Sequence, residues 1–206
     1  KGFSLSESGF LNVSLNIRDH QKTDRSGLFG TCQYQGCEKL ANGDYLATDP
    51  RETSANRKPF NIGDPAYQQL SLSYNANYPL SFGELYSFAL YSKRENDASA
   101  FFRNNANYLA NPLLQDTQAL VLNGFLPNIY SNIVDHSINM GYRTEFENEL
   151  MIDFSYTQGK NNIDYQTKNS VNASYANLLR YQEQLSPAEI REQIPKSAHA
   201  YGLSLS

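Results

Sequence analysis

The sequence predicts an all-β fold in which antiparallel up-and-down strands form a section of a large transmembrane β-barrel with long extracellular loops. Three observations predict it. Apolar and polar residues alternate with period two in six segments, the pattern of strands with one oily face. The links between those segments are by turns very short and very long. The second face is rich in Asn and Ser, while aromatic rings gather beside the short links, as lipid-facing barrels with wet interiors and aromatic girdles require.

The elements follow in chain order. A stub at Phe3 to Leu5 enters a tight turn at Ser6 to Gly9. In the strand expected over 10–18, Leu11, Val13, Leu15 and Ile17 take one face and Asn12, Ser14, Asn16 and Arg18 the other. After a long loop over 19–66, the strand at 68–78 sets Leu70, Leu72, Tyr74, Ala76 and Tyr78 against Ser71, Ser73, Asn75 and Asn77. Pro79 to Ser81 make a tight turn, with Pro79 expected outside the ladder. The strand at 82–93 is expected to turn Tyr86, Phe88 and Leu90 towards lipid and Ser87, Ala89 and Tyr91 away from it.

A second long loop over 94–132 leads to a strand at 133–146, with Ile138, Met140 and Tyr142 on the oily face and His136 sharing their parity. Phe146 to Asn148 turn the chain into the strand at 149–158, where Leu150, Ile152, Phe154 and Tyr156 oppose Met151, Asp153, Ser155 and Thr157. The third long loop covers 159–198, and a last strand is expected over 199–206 through Tyr201, Leu203 and Leu205. Residues 1–206 thus read as part of one β-barrel domain. A closed barrel needs at least about 8 strands, so the six counted here are expected to be a section of a larger one.

Composition narrows the function. There are 17 basic and 21 acidic residues, a net charge of -4, which provides no cationic field for nucleic acid. The apolar runs are far shorter than the roughly 18 residues of a membrane-spanning helix. The 15 Tyr and 11 Phe favour strands. Dispersed His20, His136 and His199 lack a nucleophile in a recognisable order, so no enzyme, cofactor or metal site is expected.

The loops hold the candidate binding chemistry. Cys32 and Cys37, with Gly36 between them to permit a bend, are expected to form a disulfide in an oxidising compartment; zinc ligation and a redox motif are the weaker readings. In the third loop, Ser186-Pro187-Ala188-Glu189 is a helix start with a capping box, and Pro195 is expected to stop that helix. Another helical stretch is expected over 175–185, with Leu178, Tyr181 and Leu185 on its packed side. The apolar residues of the second loop, from Phe101 and Phe102 to Leu113, Leu114, Leu120 and Phe125, are expected to form a small loop core, with a ligand pocket as the weaker reading. Arg25, Arg51, Arg57, Lys58, Arg103, Tyr108 and Tyr130 remain to face an acidic or sugar-like solute.

Several ordered blocks carry a resemblance. Gly9 to Arg25 (GFLNVSLNIRDHQKTDR), Gly63-Asp64-Pro65, Leu85 to Arg94 (LYSFALYSKR), Gly124-Phe125-Leu126-Pro127 ahead of Asp135, and Asn169 to Ser174 (NSVNAS) are together similar to the TonB-dependent outer-membrane receptors. The resemblance implies a bacterial outer-membrane location, a barrel of about 22 strands with an N-terminal plug, and a segment that engages TonB. It also implies uptake of a scarce solute such as a siderophore, vitamin or oligosaccharide. The expected function is accordingly TonB-energised active transport, with outer-membrane lipid, TonB and the solute as partners. A passive porin-like barrel and a soluble β-rich carbohydrate-binding module are the alternatives.

Overall fold

The computed structural model describes residues 1–34, 37–47, 49–105, 109–147, 149–194 and 198–201. In chain order they form β1 (Gly2–Ser4), β2 (Phe10–His20), a loop hairpin of β3 (Cys37–Lys39) and β4 (Tyr45–Ala47), and a single helical turn α1 (Arg51–Ser54). Then come β5 (Ala66–Pro79), β6 (Glu84–Ser99), β7 (Asn128–Glu145), β8 (Met151–Lys168), α2 (Ala173–Tyr181), α3 (Pro187–Gln193) and β9 (Ala198–Tyr201). The expectations placed on Tyr108, on Pro195 and on residues 202–206 lie outside the described residues.

β1, β2, β5, β6, β7, β8 and β9 make one antiparallel sheet in which every neighbour in space is the next of these strands in the chain. Among the described residues the sheet is open, with β1 and β9 at its edges. The all-β antiparallel fold is therefore present. The short links are tight: Leu5 N donates to Gly9 O at 3.0 Å, Leu80 N to Gly83 O at 2.9 Å, and Phe146 N to Leu150 O at 2.9 Å. Gly83 sits at φ +83°, where a Cβ would strike the Arg143 carbonyl, so this turn demands glycine. Pro79 is inside the ladder as the last residue of β5, paired with Glu84.

Cross-strand partners share a face, so the register sorts the side chains. Leu11, Val13, Leu15 and Ile17 pair with Ala76, Tyr74, Leu72 and Leu70. Those in turn oppose Ser87, Ala89, Tyr91 and Lys93 of β6, which oppose Met140, Ile138, His136 and Val134 of β7. Tyr142 and Met140 continue to Phe154 and Tyr156 of β8. This corrects the face expected for β6. Tyr86, Phe88 and Leu90 lie on the polar face, beside Asn77, Asn75 and Ser73 and beside Gly141, Asn139 and Ser137.

The reason is local. Tyr86 lies directly over Gly141, filling the space a side chain would take, and its hydroxyl donates to Asp153 Oδ1 at 2.7 Å. Ser87 can occupy the oily face because its hydroxyl bonds Tyr74 Oη and the Asn139 carbonyl, each at 2.8 Å.

Three strands run further towards the long loops than their hydrophobic alternation indicated. β6 continues to Ser99, β7 begins at Asn128, and β8 reaches Lys168. In these extensions both faces are polar, with Glu95 and Asp97 paired to Asn132 and Tyr130 on one side and Asn96 to Ser131 on the other. A ladder of backbone hydrogen bonds persists there without any period for a sequence reading to detect.

The apolar face is uncovered among the described residues: Ile17 is 72% exposed and Phe154 70%. The buried apolar cluster sits elsewhere, in the long loops. Leu114 and Leu120 of the second loop pack with Ala176, Leu179, Ile190 and Ile194 of the third. Of the second loop's expected core residues, Leu114 and Leu120 do build a core, which the third loop completes, whereas Phe101, Phe102, Leu113 and Phe125 are not part of it. α2 buries Ala176 and Leu179, and Leu185 packs against the same cluster as expected, while Leu178 and Tyr181, expected on that side, are 38% and 67% exposed.

Candidate functional site

Two regions combine concavity with chemistry. The first is the polar face of the sheet, where a depression of about 920 Å³ is lined by Asn16, Arg18, Gln69, Ser71, Ser92, Asp135 and Asn161, among others. Its side chains are tied laterally: Gln69 Nε2 donates to Ser71 Oγ at 3.1 Å and Ser92 Oγ at 3.2 Å, Asn161 to Asp135, and Asn139 Nδ2 to Thr157 Oγ1 at 2.6 Å. Asn139 Oδ1 is buried without a partner among the described residues. Towards the loops, His20 stacks on Tyr67 at 5.0 Å, and the Arg94 guanidinium sits 4.1 Å from the same ring. Such a surface can hydrogen-bond a polar solute and stack against its rings.

The second region is the cap made by the long loops. The first loop zips closed above β2 and β5, with Thr23 N donating to Asp64 O at 3.1 Å, Arg25 N to Ile62 O at 2.7 Å and Phe29 N to Arg57 O at 2.6 Å. Cys32 and Cys37 are joined in a disulfide, as expected. Their sulfurs and the Glu52 carboxylate lie within 4.8 Å of one another, but bonded sulfurs offer no thiolate to a metal.

Glu52 is itself committed. It is 3% exposed, accepts from Tyr34 N at 2.6 Å, and pairs with Arg57 at 2.8 Å. Tyr34 and the Cys32 carbonyl then join the second loop, where Tyr34 Oη donates to Asn123 Oδ1 at 3.2 Å and Asn104 Nδ2 donates to Cys32 O at 3.1 Å. The second loop is bound to the third by the core and by Arg191, whose guanidinium meets Asp116 at 2.8 Å. That hydrogen-bonded guanidinium holds the Asp116 carboxyl below its ordinary value.

The structure separates the candidate binding residues by what they already hold. Arg51 is taken by Asp49 at 2.6 Å and covers the Tyr34 ring at 4.1 Å, and Arg57 is taken by Glu52. Both are loop-building groups. Tyr130 lies on the β7 extension with the Lys168 ammonium 3.9 Å from its ring. The side chains of Arg25 and Arg103 have no hydrogen-bonded or ionic partner among the described residues. Tyr108 is outside the described residues.

Sequence reasoning missed one feature. Phe29 and Phe60 of the first loop meet Phe102 of the second, with ring centroids 5.7 Å and 5.6 Å from Phe29. Together with Ile62, Gly63, Ala100 and Phe101 they enclose a pocket of about 400 Å³. Only isolated phenylalanines in a polar loop, Phe29 and Phe60, signalled it in the sequence. Comparison of the chain with protein-family models, with curated proteins and with solved structures returned no match.

Proposed function

We propose that this chain contributes part of the wall and three outward loops of a bacterial outer-membrane barrel, within a receptor that takes up a scarce solute using energy delivered through TonB. One observation carries the membrane reading: a band of half-exposed to exposed, mainly apolar side chains on one sheet face, interrupted on β6 and β7 by Ser87, Lys93 and His136 and backed by a laterally hydrogen-bonded polar face. The band runs from Leu11 to Ile17 on β2 and from Leu70 to Tyr78 on β5, roughly 20 to 26 Å along the strands at about 3.3 Å per residue and roughly 15 to 20 Å in height at a 40° tilt, the greater part of a barrel's belt. The apolar belt of an outer-membrane barrel is about 25 Å tall. A laterally bonded face of Asn and Ser suits a water-filled lumen.

The receptor part of the reading rests on the resemblance of the ordered blocks quoted above. In that reading TonB is engaged through an N-terminal region, the cap and the polar face meet the solute, and further strands close the two sheet edges. Siderophore, vitamin and oligosaccharide are the solute classes to be tested.

The test uses the full-length protein, purified with and without detergent and run on gels before and after boiling. A detergent requirement with a heat-dependent mobility shift is the expected result. A monodisperse, detergent-free protein without a shift would overturn the membrane reading in favour of a soluble binding module.

A further inference from the structure

We infer that Asn42 is a site of spontaneous covalent modification, losing its side-chain amide through a succinimide formed with the Gly43 nitrogen, whereas Asn123, in the same Asn-Gly sequence step, is held unreactive by the fold. The inference is independent of the receptor reading. The chemistry needs only water. Gly43 N gives its proton to solvent and attacks Asn42 Cγ; the bond from Cγ to Nδ2 breaks and ammonia leaves. Water then opens the ring at either carbonyl, so asparagine and water become aspartate or isoaspartate and ammonia. A following glycine has no Cβ to obstruct the ring.

The chain has two Asn-Gly steps, Asn42-Gly43 and Asn123-Gly124. Their local geometry does not separate them. Both asparagines are exposed, and both glycines have positive φ, +90° and +72°. Each glycine N–H donates to the carbonyl three residues back, at 2.9 Å to Leu40 and 3.1 Å to Val121.

The surroundings do separate them. At Gly124 a Cβ would meet the Arg103 carbonyl, the Phe102 ring at 2.8 Å and Asn104 Cα at 3.0 Å. The chain on either side is pinned: Arg103 and Phe125 exchange two backbone bonds of 2.8 Å, and Asn105 Nδ2 donates to Leu122 O at 2.7 Å. Asn123 Oδ1 is held from the first loop by Tyr34 Oη at 3.2 Å. Swinging Cγ onto Gly124 N breaks that bond between loops.

At Gly43 a Cβ would meet nothing within 4 Å among the described residues. Asn42 sits at the tip of the β3–β4 hairpin, two strands of three residues that form a sheet of their own. An isolated hairpin is marginally stable, so its tip opens at low cost and releases Gly43 N from Leu40. The side-chain partner shown for Asn42 is its neighbour Asp44, which moves with it: Asp44 N donates to Oδ1 at 3.1 Å, drawing electrons from Cγ, and Nδ2 donates to Asp44 Oδ2 at 2.8 Å. The product adds a carboxylate beside Asp44, and isoaspartate lengthens the main chain at the tip, against the register from Lys39↔Tyr45 to Cys37↔Ala47.

The experiment ages the full-length protein in heavy-oxygen water at mildly alkaline pH, in whichever medium keeps it monodisperse, and follows its tryptic peptides by mass spectrometry. Asn42 is the sole asparagine of the peptide Leu40 to Arg51. The expected result is heavy-oxygen uptake at Asn42 at least tenfold faster than at Asn123, with the product labelled by an isoaspartyl methyltransferase. In the urea-unfolded chain the two rates should agree within about threefold. Asn42→Gln should remove the uptake from that peptide, and Tyr34→Phe should speed Asn123 about threefold with Asn42 unchanged. Conversion of Asn42 no faster than that of Asn123 in the folded protein would overturn the inference. So would a difference equally large in the unfolded chain, which would assign it to sequence alone.

Discussion

Glu52 shows what a single side chain does in the cap. Its carboxylate joins a helix turn, the amide of Tyr34 and the guanidinium of Arg57, all in one loop of otherwise polar sequence. Replacing it leaves a buried amide unmet and takes from Arg57 its carboxylate partner, a cost of about 3 kcal/mol of local stability. Glu52→Ala is expected to speed trypsin cleavage at Arg51 and Arg57 without altering the heat-dependent gel shift; Glu52→Gln, which keeps an acceptor for Tyr34, should lie between. Asp116 adds a pH dependence. Its carboxyl is depressed from 3.8 by the Arg191 hydrogen bond, so the stability it lends the second and third loops is complete above about pH 4 and lost as pH falls through the lower folded value. Protease protection of those loops should decline in acid below pH 4 in the parent, and Asp116→Asn should remove that part of the decline. None of these pairings was legible in the sequence. Arg25, Arg51, Arg57 and Arg103 look alike as letters, and only the fold reveals that two of them are spent on neighbours.

At the scale of elements, legibility followed the reach of the interactions. The start of α3 was readable because its capping box is a contact over three residues: Ser186 N donates to Glu189 Oε2 at 2.9 Å, and Glu189 N donates to Ser186 Oγ. The packed side of α2 was not, because it is chosen by the second loop, distant in sequence. Leu179→Ala is expected to destabilise the cap by about 2 to 5 kcal/mol, seen as accelerated proteolysis of the second and third loops, while Tyr181→Ala should be neutral. β6 fails for a related reason. Both of its faces are half apolar, Leu85, Ser87, Ala89 and Tyr91 against Tyr86, Phe88 and Leu90, and its partners in register decide between them. Single cysteines at Ala89 and Phe88 should report the answer in the membrane: a water-soluble maleimide is expected to label the Phe88→Cys protein and leave Ala89→Cys unreacted. The opposite labelling would restore the face that alternation alone suggested.

For the whole molecule, the order of strands was legible because each link is either a tight turn or a long excursion, and up-and-down pairing is the simplest topology that uses them. The joint cap was not, since nothing local says that three loops share contacts. The two faces make opposite demands on one pair of neighbours. Leu72→Lys places a charge in the apolar band and is expected to cost about 2 to 4 kcal/mol, lowering the temperature at which the folded gel band is lost. Ser73→Lys, one residue away on the polar face, should leave that temperature nearly unchanged. The polar extensions give the proposed receptor a further property. From Tyr91 at the edge of the apolar band to Ser99, β6 climbs eight residues, roughly 26 Å along the strand and roughly 20 Å above that edge at a 40° tilt, or roughly 13 Å above the headgroups. The screening length at physiological salt is about 8 Å. The mouth therefore stands beyond the electrostatic reach of the anionic membrane surface, and a negatively charged solute can be captured there at a rate that does not depend on the charge of the lipids below.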